Sequence, residues 1–273
     1  MKTVLYCFLV VVFLTGCATH GAMKVASGLN GQPWIVTNDG SIYAYNGSGW
    51  DQKEASSTAD DLAVCGAFLT ILTKADSQGQ RTVKSRSVLG GAWTTYPSLN
   101  PSKANKVACD GYEPVVIATL PLTTTIIKAV YKYSNTTQNW DLILNGATDI
   151  SIMNGYLFYL STTTTNGNVW NRQVNSGPDT QWGPPLVAHK IAGDANGLPW
   201  VATNATSNPL YKWDTANQKW TFGFASGPVY EMDIQDYTKM FILSDPQIGG
   251  GGYTVYSHDL YSGGWTTYSL PNY

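Results

Sequence analysis

The sequence predicts an all-β fold, a six-bladed β-propeller of four-stranded antiparallel blades. Three observations predict it. A unit recurs six times along the chain, at the length of a four-stranded propeller blade. Each unit is cut by Asn- and Gly-rich turns into four short segments of strand composition. The composition suits tightly turned sheets: of 273 residues only 12% are charged, against 27 Gly, 10 Trp and 17 Tyr. With 43% hydrophobic residues and a formal charge of −2, the chain is not intrinsically disordered. The balance of 16 Lys+Arg against 18 Asp+Glu leaves no basic footprint for nucleic acid and no polybasic membrane patch.

The first element is a targeting segment, residues 1–18. One positive charge, Lys2, precedes an apolar run to Leu14, and the small residues Thr15, Gly16, Cys17 and Ala18 follow. The run is short for a bilayer span and reads as a secretory signal peptide. Leu14-Thr15-Gly16-Cys17 also has the form of a lipobox, so a lipid anchor on Cys17 is the alternative. No later window is apolar enough to span a membrane.

The propeller is expected over 22–273, with blades at about 24–54, 60–98, 105–144, 147–186, 189–224 and 227–270. The clearest copies are Lys24-Val25-Ala26-Ser27-Gly28-Leu29-Asn30-Gly31-Gln32-Pro33-Trp34 and Lys190-Ile191-Ala192-Gly193-Asp194-Ala195-Asn196-Gly197-Leu198-Pro199-Trp200. Weaker copies open at Ala63-Val64-Cys65, Lys106-Val107-Ala108-Cys109, Asp149-Ile150-Ser151 and Tyr230-Glu231-Met232. Each copy ends on a tryptophan: Trp50, Trp93, Trp140, Trp182, Trp220 and Trp265, spaced by 38 to 47 residues. A lone four-stranded sheet cannot bury both faces, whereas six packed around an axis can. These indoles are therefore expected to pack blade against blade. The copies begin and end as whole blades, so ring closure is expected to rest on side chains rather than on a strand shared by the termini.

The pattern from Val25 to Trp50, V-A-S-G-x-N-G-x-P-W-x-V-x-x-x-G-x-I-Y-x-Y-x-G-x-x-W, resembles the tectonin repeat. That family of propeller lectins includes fish-egg lectins, a horseshoe-crab tachylectin and fungal and slime-mould tectonins. The resemblance covers about residues 24 to 270, is strongest in the first and fifth units, and is weakest in the Thr/Asn-rich fourth (Thr162 to Asn168). It implies a secreted lectin that recognises glycans or lipopolysaccharide on other cells through several sites.

No catalytic set is expected. Besides Glu54, the only Glu are Glu113 and Glu231, too few for an obvious acid/base pair flanking a cleft. Asp39, Asp110, Asp194 and Asp245 read as turn caps. Asp60-Asp61 and Asp233-x-x-Asp236 read as surface charge, with a Ca²⁺ site the alternative. His20, His189 and His258 form no ligand-spaced pattern, so no metal and no cofactor are expected. Cys65 and Cys109 stand 44 residues apart, one blade period, each in the opening strand of its unit. Opening strands line the channel, where blades approach most closely, so the pair is expected either to be bridged or to fill the channel wall as two small side chains.

For a sugar, the loop between the first two strands supplies amides and aromatic rings: Asn30 and Trp34 in the first unit, Asn196 and Trp200 in the fifth. Their alternative roles are turn and core. Asn46, Asn135 and Asn204 head Asn-x-Ser/Thr sequons. The expected partners are glycans or glycoconjugates, with no nucleic acid. The other reading is an extracellular structural or protein-interaction propeller, through a protein partner or self-association, marked by unlike loops and an exposed apolar patch. A hydrolase with clustered carboxylates at one channel mouth ranks behind both.

Overall fold

The computed structural model describes residues 22–28, 30–99, 103–111, 113–121, 126–161, 168–175, 177–184, 186–205, 209–223, 227–234, 238–244 and 253–271. The leader with Cys17, the 162–167 stretch, Asp236, Asp245 and the Gly249–Gly252 run lie outside them. The protein is a six-bladed β-propeller: six sheets, each of four consecutive antiparallel strands, and no helix among the described residues.

Short extended segments joined by tight turns account for each blade. In blade 1 the Gly31 N–H donates to the Gly28 carbonyl across the first turn, and Gly40 closes the second at φ 87°, where a side chain would be strained. The innermost strands are Ala22–Ser27, Ala59–Cys65, Lys103–Asp110, Ala147–Met153, Ala188–Gly193 and Val229–Ile234. They touch one another around a closed ring. The strands just outside them carry the densest apolar runs, such as Pro33–Thr37, which is buried throughout. Buried on both faces, such strands lose the alternation of a half-exposed sheet.

Every innermost strand carries a β-bulge at one equivalent place. The register shifts between Ala22 and Lys24, Ala59 and Asp61, Ala104 and Lys106, Ala147 and Asp149, Ala188 and Lys190, and Val229 and Glu231. A bulge re-aims the side chains around it. Here it is followed, in all six blades, by a charged residue: Lys24, Asp61, Lys106, Asp149, Lys190 and Glu231 alternate in sign from blade to blade.

Six apolar clusters fill the six clefts between blades. Ala26, Trp34 and Val36 of blade 1 meet Leu62, Val64 and Leu69 of blade 2, and the pattern continues around the ring. The ring closes without a shared strand, since every sheet is made of consecutive strands. Val25, Ile35 and Tyr43 of blade 1 pack on Phe241, Leu243 and Tyr268 of blade 6, and one isolated backbone bridge joins Ala22 to Tyr253.

Alternate blades resemble each other more than neighbours do. Blades 1, 3 and 5 carry Lys on the channel; blades 2, 4 and 6 carry Asp or Glu. In the even blades Val88, Val174 and Leu260 each donate a backbone N–H to a carbonyl of the preceding turn (Ala67, Gly155, Thr238; 2.8–2.9 Å). Lys and Asp or Glu thus alternate around the ring with a two-blade period.

Trp182 occupies a different place from the other closing tryptophans. It pairs with Val169 at the far end of its outermost strand, whereas Trp50, Trp140, Trp220 and Trp265 pair at the near end. Its counterparts are Tyr96 and Tyr268, and the position of Trp93 and Trp265 falls three residues earlier, on Asp179. Repeat spacing alone misplaces it because blade 4 carries Asp179 where blades 2 and 6 carry Trp93 and Trp265, and its tryptophan lies three residues further on in a hairpin of the same register.

Candidate functional site

The channel is narrow and stitched shut by its own charges. Glu231 Oε1 accepts from Lys24 Nζ and Lys190 Nζ, each at 2.5 Å. Lys106 contacts Asp149 and lies 3.9 Å from Glu231 Oε2, on the opposite side of the ring. Even-blade carboxylates also grip the backbone of the following odd blade: Val107 N–H donates to Asp61 (2.8 Å), Ile191 N–H to Asp149 (2.8 Å) and Ser27 N–H to Asp233 (2.7 Å). The remaining cavity, about 30 Å³, is lined by Asp61, Lys106, Ser151, Glu231 and Asp233. It has room for water, not for a sugar ring.

The expectation that Asp61 and Asp233 are surface charges is thereby corrected. Asp61 is 4% exposed, and both side chains face the channel, the one turned inward by its bulge and the other two residues further along the strand. Asp60, the bulged residue itself, points outward to Arg81 (2.7 Å) and Lys74 (3.1 Å). Among the described residues no cluster of three or more His, Cys, Asp or Glu is arranged to hold a metal ion.

The ring's electrostatics are mutually dependent. Burial alone would lower the Lys106 pKa, but Asp149, Glu231 and Asp61 outweigh it and hold the ammonium well above the ordinary range. Burial alone would raise Glu231; Lys24, Lys106 and Lys190 instead hold it well below the usual carboxylate range. Asp233 lacks such a pair. Burial pushes it up to about 7, only partly offset by the Ser27 N–H and by Lys106.

A pH dependence follows from Asp233. The unfolded chain releases this proton near its ordinary value of 3.8, while the native state keeps it to about 7. Between those values the native state binds more protons, so this group makes stability fall as pH rises. Asp233→Asn is expected to flatten the urea-midpoint profile between these pH values and to raise stability at pH 8 by about 2–4 kcal/mol. An unchanged profile would place the carboxyl in contact with bulk water.

Cys65 and Cys109 form a disulfide between blades 2 and 3, with Cα atoms 5.8 Å apart, at the end of the channel wall. Asn30 and Asn196 are exposed at the turns after the innermost strands. The indoles beside them are not: Trp34 and Trp200 are 7% and 5% exposed, facing the clefts between blades 1 and 2 and blades 5 and 6. Trp200 donates Nε1–H to Asp194 (3.3 Å), and Lys212 lies over its ring. Asn46, Asn135 and Asn204 are all exposed.

A concavity with aromatic walls lies elsewhere, between the outer strands of blades 6 and 1. This groove, about 530 Å³, is lined among others by Tyr45, Ser48, Trp50, Gln52, Thr267 and Tyr268. Its volume is that of a typical small-molecule site. The three rings meet edge to face: Tyr45–Trp50 at 5.4 Å, Tyr45–Tyr268 at 4.9 Å and Trp50–Tyr268 at 6.4 Å. Trp50 Nε1–H donates to the Ser269 carbonyl (2.6 Å), which fixes the indole across the junction. Among the described residues no charged side chain lines the groove. Sequence reasoning placed Trp50 in blade packing and passed over this groove, although the Tyr-x-Tyr run ahead of Trp50 and the Tyr three residues past Trp265 were its visible parts.

Fold and site together define a six-bladed β-propeller with a closed channel and an aromatic groove at the seam of the ring. Solved structures align with this chain in fold. A structure of the nidogen/laminin complex aligns with a TM-score of 0.61 at 10% identity, over 93% of this chain and 92% of that one. A structure of YCF48 bound to D1 peptide aligns with a TM-score of 0.55, also at 10% identity, over 92% and 82%. At such identity the likeness is one of fold alone. No protein-family model matches the chain, and no curated protein matches it in sequence.

Proposed function

We propose that this protein is a non-catalytic binding propeller, secreted by way of its leader, that holds a neutral saccharide in the groove between its last and first blades. The observation that carries the reading is the groove's lining: the half-buried rings of Tyr45 and Trp50 and the buried Tyr268 beside the hydroxyl and amide groups of Ser48, Gln52 and Thr267, with no charged side chain among its described lining residues. A pyranose offers the complement, an apolar C–H face and a rim of neutral hydroxyls. The resemblance of Val25–Trp50 to the tectonin repeat points to the same ligand class, and the Cys65–Cys109 bridge is compatible with an oxidising compartment.

A glycan array followed by calorimetry tests it. Gln52→Ala removes one exposed hydrogen-bonding group and is expected to weaken the best array saccharide roughly 3- to 10-fold, with the melting temperature unchanged. Binding to no saccharide, or equal affinity in the variant, overturns the reading. A second reading, a protein segment in the same groove, is favoured by the structural neighbours, which were solved with a peptide or a protein partner. It predicts pull-down of an extracellular protein that free saccharide does not compete away.

A further inference from the structure

The innermost strands all start at one end of the channel, and their bulged residues stand around that mouth: Met23, Asp60, Asn105, Thr148, His189 and Tyr230. The six fall into two halves. In blades 2, 3 and 4 they are polar and engaged: Asp60 with Arg81 and Lys74, Asn105 Nδ2–H on the Thr119 hydroxyl (2.6 Å), and the Thr148 hydroxyl on the Leu160 carbonyl (3.3 Å). In blades 5, 6 and 1 they are an imidazole, a phenol ring and a thioether.

The second half is one continuous surface. Val187, 57% exposed, immediately precedes the strand that carries His189. His189 Nε2–H donates to the Val229 carbonyl of blade 6 (2.7 Å). The next residue, Tyr230, stacks on Tyr253 with ring centroids 4.1 Å apart. Tyr253 in turn bridges Ala22, the neighbour of Met23, which is 44% exposed. The charged residues that follow these three bulges, Lys24, Lys190 and Glu231, turn into the channel and pair there, so they leave the arc uncharged.

The chain enters the ring through this same arc. Ala22 opens blade 1, and Cys17 of the Leu14-Thr15-Gly16-Cys17 motif lies five residues before it, a reach of at most about 18 Å. A lipid on Cys17 would bring this mouth to a bilayer. Tyrosines, with an apolar body and a polar tip, suit the membrane–water interface. A single acyl chain binds a membrane only marginally, so a second contact matters.

We infer that the protein is an exported lipoprotein, anchored through Cys17, whose channel mouth at blades 5, 6 and 1 rests on the lipid surface. The co-reactant of the attachment is a membrane phospholipid. The Cys17 Sγ forms a C–S bond to its diacylglyceryl carbon as the C–O bond to the headgroup phosphate breaks, and the thiol proton leaves with that phosphate. Hydrolysis of the Gly16–Cys17 peptide bond then frees the leader. The inference goes beyond the saccharide reading and does not rest on it. The two are compatible: the turn carrying Ser48, at the rim of the seam groove, leaves from the opposite end of the blades and stays clear of the bilayer.

The full-length precursor is produced in a bacterial host, recovered and reconstituted with phosphatidylcholine vesicles. Val187→Cys and, at the far end of the blades, Tyr261→Cys are each labelled with an environment-sensitive dye, the native cysteines being closed in their disulfide. The mature chain is expected to begin at Cys17 and to carry the mass of the lipid. Nitroxide-labelled lipid is expected to quench the dye at 187 roughly threefold or more strongly than at 261, as for a face lying about 5–10 Å into the headgroup boundary. A mature chain without lipid overturns the inference. Equal quenching at the two sites also overturns it, since the ring then hangs free on its tether. A dye at 187 that is shielded from water yet unquenched overturns it in favour of a protein, a second copy or another chain, over the arc. Saccharide binding by the same protein is scored separately, so a failure here leaves the groove reading standing.

Discussion

Glu231→Gln is expected to destabilise the native state by about 3–5 kcal/mol, the cost of removing one partner from a buried ionic network. Glu231 is the only carboxylate of the ring that touches two lysines at 2.5 Å and a third, Lys106, at 3.9 Å across the channel. Glutamine keeps the volume and an acceptor but leaves three ammonium groups crowded together. Urea denaturation at neutral pH measures the loss. Lys190→Met should cost less, because Lys24 still neutralises Glu231, and the double variant should cost less than the two singles combined. A loss under about 1 kcal/mol for Glu231→Gln would mean that channel water screens the ring as a surface would. The acid limb has the opposite sign to the Asp233 effect. Glu231 is held below its unfolded value, so its stabilisation is present above about pH 4.5 and is lost as pH falls through its native value.

Removing the Cys65–Cys109 bridge by the double change to Ala is expected to cost about 4 kcal/mol, the chain-entropy estimate for a loop closed over 44 residues. For a chain of this size that corresponds to a fall of roughly 8–16 °C in melting temperature. The cross-link acts mainly on the unfolded ensemble, so the folded ring should keep its architecture. Both cysteines are buried, at 6% and 3% exposure, so reductant should act slowly on the native protein and fully once it is unfolded. The wild-type chain unfolded and refolded in reductant should melt with the double variant. Equal melting of all three would show that the packing of blade 2 on blade 3 already fixes the ends of the loop.

Legibility in the sequence follows from the range of the forces involved. The strands, their turns and their sixfold recurrence are written locally: Asn-Gly and Asp-Gly turns, four-residue apolar runs and a tryptophan near the end of most copies. The alternation of Lys24, Asp61, Lys106, Asp149, Lys190 and Glu231 was also open to inspection, since those residues open the six copies or lie close beside the openings. Its meaning was not, because Asp60-Asp61 looks like surface charge until the bulge decides which of the two turns into the channel. Trp182 was misplaced for another reason: the hairpin keeps the register of blades 2 and 6, but Asp179 stands at the place of Trp265 and the tryptophan at that of Tyr268.

The candidate groove needed the closed ring. Trp50 and Tyr268 are 218 residues apart, and nothing local says that they meet. Likewise Trp34 and Trp200, the most conspicuous residues of the best repeats, are withdrawn into the clefts because the neighbouring blade supplies an apolar wall for them.

What the amino-acid order determined by itself was a periodic set of short strands too apolar on both faces to stand as single sheets, and hence the number and kind of blades. What only the tertiary structure decided was which side chains face the axis, which fill the clefts and which remain for a ligand. Period and turn are properties of neighbours along the chain, whereas burial, pairing of charges and the walls of a groove are made between strands that only the closed ring brings into contact.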